Sequence, residues 1–345
     1  MFNSEDISTL IQGGISDGIF PGAVAYVIEG DRTAYHEAFG HRMVEPTHKL
    51  MQRDTVFDLA SLTKPIVIAT LVSRLVEDNL LALNAPVQNE VPEFIHPQVT
   101  LLHLLTHTSG LPAWQPTYLE AESRDEVVRY IGALPLEYPT GGKVVYSCLG
   151  YILLGKLIER VTGEPLDRLA SNVIFRPLEM SKTRYNPPQT WHNKCAATED
   201  SNSFERRMVN YRRYDWREGV IVGEVHDENA HFLGGVSGNA GLFSTAEDLG
   251  KFCQMLFDSG TGVLNPERIE QMAIVYTNGL DTARGIGWII LDDGSLYHTG
   301  FTGTSMRINL KSKLAAILLT NRVHPDASHL EIVEFRNQFY RAVFS

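Results

Sequence analysis

Apolar and polar positions divide the chain into stretches of different period. From Gly22 to Arg42, "GAVAYVIEGDRTAYHEAFGHR", apolar residues alternate on either side of a polar "EGDR" turn, which predicts a β-hairpin. From Ser61 the spacing becomes that of an amphipathic helix and holds to about Leu81. Helical spacing continues through "VTLLHLLTHTSGLP", "SRDEVVRYIGALP" and "LGYILLGKLIERVTGEPLDRLASNVI", broken by Gly and Pro. Between about Asn186 and Asn229 the pattern fades into a polar stretch rich in Arg, Asn, Glu and Trp, which reads as long loops over a scaffold. Beyond it, "TAEDLGKFCQML" and "NPERIEQMA" predict two helices. "GIGWIIL", "TSMRINL" and "LAAILLTN" predict strands, and "HLEIVEFRNQFYRAVF" predicts a closing helix.

Strands, a long helical middle, then strands and a helix predict an α+β fold. One sheet layer would come from both chain ends, residues 1–58 and 230–345, with a mainly helical domain, residues 59–229, inserted between them. The functional site is expected at the junction. There is no internal repeat or low-complexity tract.

Composition narrows the function. Apolar residues make up 43% and charged residues 21% of 345 positions, enough for a substantial core. The net charge of −11 argues against nucleic-acid binding and against docking on anionic lipid. No apolar run approaches the ~20 residues of a membrane span. The first residues, "MFNSEDISTLIQGGISDGIF", lack a basic segment followed by an apolar one, so no signal peptide is read and a cytoplasmic location is expected. Cys148, Cys195 and Cys253 are odd in number, far apart and without a CxxC pair, as expected of reduced thiols.

Three segments carry candidate chemistry. In "DLASLTKP", Ser61 and Lys64 are one helical turn apart, so the lysine amine can reach the serine oxygen. Partial burial and nearby cations would lower the lysine pKa and make it a base. The backbone N–H of Ser61, at a helix start, is free to bind an oxyanion. The plain alternative is a capping serine and a solvated lysine. In "GGKVVYSCLGYILLG", Tyr146 follows a Gly-rich turn and would suit proton transfer beside a lysine; otherwise it simply packs. In "LYHTGFTGTSMRINL", His298 and Thr299 end a strand, Gly300 allows close backbone approach, and the Phe301 N–H is a second oxyanion donor. The plain alternative there is a hairpin turn after an exposed histidine.

Together, S-x-x-K at a helix start, Tyr after a Gly turn and His-Thr-Gly on a late strand resemble the serine β-lactamase and penicillin-binding-protein superfamily. The resemblance is closest to the class C β-lactamase-like branch, which includes esterases, D-stereospecific peptidases and amidases. "LLHLLTHTSGLP", "IFRPLEMSKTRYNP" and "GVSGNAGLFSTAEDL" extend it over most of the chain. It implies a β-lactamase/transpeptidase-like fold with an antiparallel sheet flanked by helices. It also implies Ser61 as nucleophile, Lys64 as its activator and Tyr146 as proton relay. His298, Thr299 and Gly300 would edge the substrate site, and the Ser61 and Phe301 N–H groups would form the oxyanion hole. No cofactor or metal is implied.

One position departs from the pattern: Cys148 stands where the family usually has Asn. A thiol is a weaker donor than an amide, which disfavours β-lactam or peptide turnover more than ester cleavage. With the apparent lack of a signal peptide, this makes a carboxylesterase or small amidase the first expectation. A D-alanyl-D-alanine carboxypeptidase or weak β-lactamase is the second, and a catalytically decayed ligand-binding protein the third. The partner is expected to be a small ester, amide or β-lactam.

Other constellations carry less. His103 and His107 are spaced as a two-histidine metal face but lack a zincin glutamate. His226, Asp227, Glu228 and His231 cluster in a stretch that reads as a solvated loop. "GGVSGNAG" reads as a tight loop bordering the site, no G-x-S-x-G pentapeptide occurs, and Cys148 as a nucleophile has no identifiable base.

Overall fold

The computed structural model describes residues 2–327 and 331–345. The main sheet has seven strands, all of whose neighbours pair antiparallel: β1 (Gly22–Glu29), β2 (Arg32–Met43), β3 (Lys49–Leu50), β4 (Ile289–Ile290), β5 (Leu296–Thr299), β6 (Ser305–Asn309) and β7 (Leu314–Thr320). Their order across the sheet is β3-β2-β1-β7-β6-β5-β4. The first strand therefore lies against the last, with Tyr26 opposite Ile317, and both chain ends build one layer.

Strands β1 and β7 are central and covered on both faces, which is why they read as nearly continuous apolar runs. Period-two alternation sends Ala23, Ala25, Val27, Ala316 and Leu318 to one face. There they meet Ile7 and Ile11 of α1 (Ser4–Ser16) and Phe335 and Phe339 of the closing helix, Ile332–Phe344. The alternate residues Val24, Tyr26, Ile28, Ile317 and Leu319 face a second, larger core. This core takes in Leu249 and Phe252 of helix Ala246–Phe257, and continues to Leu149 and Ile152 of helix Cys148–Thr162. The same alternation on β5 turns Leu296 towards that core and Tyr297 onto Tyr340 of the closing helix. His298 is therefore placed on the side of the larger core.

Three local expectations need correction. The helix predicted from Ser61 begins as a 3₁₀ turn, Ala60–Leu62, passes through a π-helical segment, Lys64–Ala69, and is α-helical only over Thr70–Glu77. Pro65 has no N–H to close the ordinary ladder, and the turn containing it is widened. The polar stretch 186–229 is not all loop. It pairs Ala197–Asp200 with Val220–Val222 and carries helix Ser203–Met208, elements too short for periodicity to reveal. The strand predicted at "GIGWIIL" shrinks to Ile289–Ile290. The first two residues of the predicted closing helix lie outside the described residues.

Candidate functional site

Ser61 sits on the turn after the short strand Phe57–Asp58. Ala60, just before it, has φ +47°, a backbone conformation costly for a residue with a Cβ. The turn is held in place by Asp58, which is buried. One carboxylate oxygen accepts the Ala60 N–H at 2.9 Å and the other accepts the His226 N–H at 2.7 Å. Burial pushes the Asp58 carboxyl up, opposed by those two hydrogen bonds.

Lys64 is wholly buried, and its three donors all have acceptors. Nζ donates to Ser61 Oγ at 2.9 Å, to the Asn239 carbonyl at 2.8 Å and to Cys148 Sγ at 3.6 Å. The expectation of a lowered lysine is not met. Burial favours the neutral amine, but a charge on Cys148 or Tyr146, once either loses its proton, holds the ammonium, and the net shift is upward. Burial likewise raises Tyr146 against the pull of Lys64, and raises the Cys148 thiol, leaving it protonated and a poor nucleophile. The Lys64 ammonium lies 5.0 Å from the centre of the Tyr146 ring.

The loop bearing Tyr146 is set by His107, one of the two histidines considered as a metal face. Its carbonyl accepts the Val145 N–H at 2.9 Å and its Nδ1 accepts the Ser147 N–H at 3.0 Å. Its ring lies on that of Tyr146, centroids 4.4 Å apart. Both peptide neighbours of the tyrosine, and the tyrosine itself, are thus held by one buried residue whose own φ is +59°. Burial and the nearby cations Arg284 and Lys64 keep His107 neutral, with its proton on Nε2. His103 is turned elsewhere, capping its own short helix through Thr100.

The His298-Thr299-Gly300 segment closes the other side. The turn after β5 is clipped to the nucleophile turn by two hydroxyls: Thr302 Oγ1 donates to the Asp58 carbonyl at 2.7 Å and Thr304 Oγ1 to the Leu59 carbonyl at 3.0 Å. A Cβ at position 300 would overlap the Thr304 hydroxyl and the Leu59 carbonyl, so glycine is required by the approach. Arg336 donates to the Gly300 and Thr304 carbonyls at 2.9 and 3.0 Å, and Arg322 to the Phe301 carbonyl at 2.9 Å. His298 is buried, and desolvation with the Lys64 and Arg284 charges holds its pKa well below the usual value. It is neutral, with Nδ1–H donating to the Thr299 carbonyl at 2.9 Å. That leaves Nε2 a buried acceptor with no partner among the described residues.

Ser61, Tyr146, Cys148, His298, Thr299, Gly300 and Phe301 all line one cavity of about 570 Å³, with Lys64 behind the serine. The "GGVSGNAG" loop borders it through Asn239 and Ala240. Sequence reading missed Asp58, His107 as a support for Tyr146, and Arg284. Arg284 lines the cavity and is 7% exposed, with its guanidinium 5.8 Å from the Tyr146 ring centre. It makes no ion pair among the described residues. Glu228 is paired with Arg217 at 2.7 Å, His226 with Glu199 at 2.9 Å, and Asp227 caps Ala230, so the acidic histidine-rich stretch is held by protein partners. Among the described residues no three His, Cys, Asp or Glu side chains are grouped to hold a metal ion, and no helix is long and apolar enough to cross a membrane.

Comparison with known proteins agrees in extent and fold. The family model described as Beta-lactamase matches residues 7–339. An N-acetylmuramyl-L-alanine amidase of Bacillus subtilis (strain 168) is 31% identical over 359 aligned positions, covering 92% of this chain and 80% of the relative. Among solved structures, EstCE1, a hydrolase with promiscuous acyltransferase activity, superposes with a TM-score of 0.79 at 22% identity, covering 99% of this chain and 98% of its own. A beta-lactamase/D-alanine carboxypeptidase from Yersinia pestis does so with a TM-score of 0.74 at 19% identity, over 99% and 100% of the two chains.

Proposed function

This chain belongs to the Beta-lactamase family and is a serine hydrolase, and from that premise we propose that Ser61 forms an acyl-enzyme with a small ester or amide whose leaving half carries a carboxylate. The observation that carries the reading is the Lys64 amine on Ser61 Oγ at 2.9 Å, inside the cavity that Tyr146 lines. In the resting state Lys64 and Tyr146 both hold their protons. Loss of one proton from the pair leaves an acceptor for the Ser61 hydroxyl as it attacks the carbonyl. The developing oxyanion is received by the backbone N–H groups of Ser61 and Phe301, on the two turns that the Thr302 and Thr304 hydroxyls join. Tyr146 then delivers a proton to the departing oxygen or nitrogen, and water releases the acyl group by the reverse route.

The carboxylate follows from Arg284. A buried guanidinium without an ion-pair partner is costly, and a substrate anion beside Tyr146, on the leaving-group side, offsets that cost. Cys148 at 3.6 Å from Lys64 supplies no amide donor to the substrate, which favours esters over peptides.

The test is hydrolysis of a short-chain p-nitrophenyl ester by wild type and Ser61→Ala, followed by an ester series with and without a leaving-group carboxylate. Activity lost in Ser61→Ala, and a preference for the carboxylate lost in Arg284→Gln, support the reading. Equal activity in wild type and Ser61→Ala overturns it. Slow, persistent penicillin labelling of Ser61 with release of D-alanine from D-Ala-D-Ala peptides would instead assign a carboxypeptidase.

A further inference from the structure

We infer that His226 is a positioning residue for the oxyanion hole, its backbone holding the Ser61 turn and its ring holding Phe301; the inference rests on the Ser61 reading above. In sequence this histidine reads as part of a solvated loop, but it is 3% exposed and its edge reaches the wall of the Ser61 cavity.

The backbone link runs through Asp58. The His226 N–H donates to one Asp58 carboxylate oxygen at 2.7 Å, and the other oxygen accepts the N–H of Ala60, directly before Ser61. The Asp58 carbonyl accepts the hydroxyl of Thr302, directly after Phe301. The two turns that carry the oxyanion donors therefore meet at Asp58, and His226 is bonded to it.

The ring link runs to Phe301. The imidazole stacks on the Phe301 ring, centroids 5.6 Å apart and planes 26° apart. Phe204 lies against the same ring at 5.1 Å. The Arg322 guanidinium lies 4.6 Å from its centre and donates to the Phe301 carbonyl at 2.9 Å. Phe301 is 37% exposed, and a ring that open changes rotamer freely unless its neighbours hold it. Glu199, wholly buried, fixes two of those neighbours. His226 Nε2–H donates to Glu199 Oε2 at 2.9 Å, while Oε1 accepts the Phe204 N–H at 2.7 Å and the Ser203 hydroxyl at 2.8 Å. One carboxylate thus sets both the imidazole and Phe204 against Phe301. An oxyanion donor works only about 2.7–3.1 Å from the developing charge. Release of the Phe301 peptide should therefore cost rate more than ground-state binding.

The experiment measures kcat and KM for a short-chain p-nitrophenyl ester in wild type, His226→Leu, His226→Gln, Phe301→Ala and the His226→Leu/Phe301→Ala double variant. Far-UV circular dichroism and a thermal melt check that each variant folds. Outright loss of one oxyanion donor costs about 100- to 1,000-fold in kcat, so its partial displacement in His226→Leu should cost about tenfold. KM should stay within about threefold in that variant. Phe301→Ala should lower kcat by a similar factor. The double variant should be no worse than the poorer single within about twofold, because both changes release the same peptide. His226→Gln keeps a donor for Glu199 and should recover kcat to within about threefold of wild type. Wild-type kcat in His226→Leu overturns the positioning role, as do losses that multiply in the double variant or a His226→Gln as poor as His226→Leu. If His226→Leu does not fold, Phe301→Ala decides, and wild-type kcat there overturns the role. Each of these results leaves Ser61 as the nucleophile. Ester hydrolysis by wild type no faster than by Ser61→Ala overturns the parent reading and the positioning role with it.

Discussion

Replacing His107 separates the support of Tyr146 from its chemistry. His107→Phe keeps a ring on Tyr146 but removes the Nδ1 that accepts the Ser147 N–H at 3.0 Å. A buried N–H left without a partner costs about 1–3 kcal/mol. The φ of +59° is already borne by His107 in the wild type, so its cost largely cancels. The variant should therefore lose roughly 1–3 kcal/mol of stability. If about 2 kcal/mol of this appears as misplacement of the Tyr146 hydroxyl in the transition state, kcat falls about 30-fold. KM should stay within about threefold, because the loss is to proton transfer rather than to binding.

His107→Asn is the control. Asn tolerates the left-handed region and places an acceptor close to the position of Nδ1, though it gives up the ring contact. Its kcat should recover to within about fivefold of wild type. The assay is ester hydrolysis across pH 6–10, with urea unfolding of each variant under the same buffers. A positioning role also predicts an altered pH profile in His107→Phe, because the coupling between Lys64 and Tyr146 changes. If His107→Phe is destabilised yet keeps wild-type kcat and pH profile, the histidine only packs. If Asn is as poor as Phe, the hydrogen bond to Ser147 is not what sets the tyrosine.

Lys64 and Tyr146 are both shifted upward, so both are protonated at neutral pH and the reactive, singly deprotonated pair grows as pH rises. kcat/KM should climb through pH 7–9, and a flat profile over that range would refute the assignment. Cys148→Asn should raise amide or β-lactam turnover relative to ester turnover, read as a ratio of kcat/KM values; no change would count against the thiol as the limiting departure. Gly300→Ala should lower kcat by about 100-fold or more, since the added methyl separates the Phe301 turn from the nucleophile turn at the oxyanion donors. Wild-type kcat in that variant would show that the two turns need not stay clipped.

Much of this protein is legible in local order. The hairpin at the start, the strands and helix at the end, and the helical middle are all visible as changes of hydrophobic period, because burial of β1 and β7 on two faces and of the helices on one leaves a direct imprint on residue type. Ser61 and Lys64 are neighbours by helical spacing alone, and Gly300 announces a close approach. The stretch 186–229 was illegible because its helices and strands span only a few residues, too few for a period, and it supplies Phe204, Glu205 and Asp227 to the cavity lining.

Residue types and their spacing along the chain determined the α+β order, the Ser61–Lys64 pair and the segments that carry Tyr146 and His298. What only the tertiary structure decided was the state of those groups. Lys64 is raised rather than lowered because folding brings Cys148 and Tyr146 to it from about 80 residues away. His298 is neutral because burial removes it from water beside two cations. Arg284 matters because it is buried beside Tyr146 with no ion pair among the described residues. Spacing in sequence fixes which side chains share a face, but the charge a group carries depends on the solvent it loses and on partners far along the chain, and neither exists until the chain has closed.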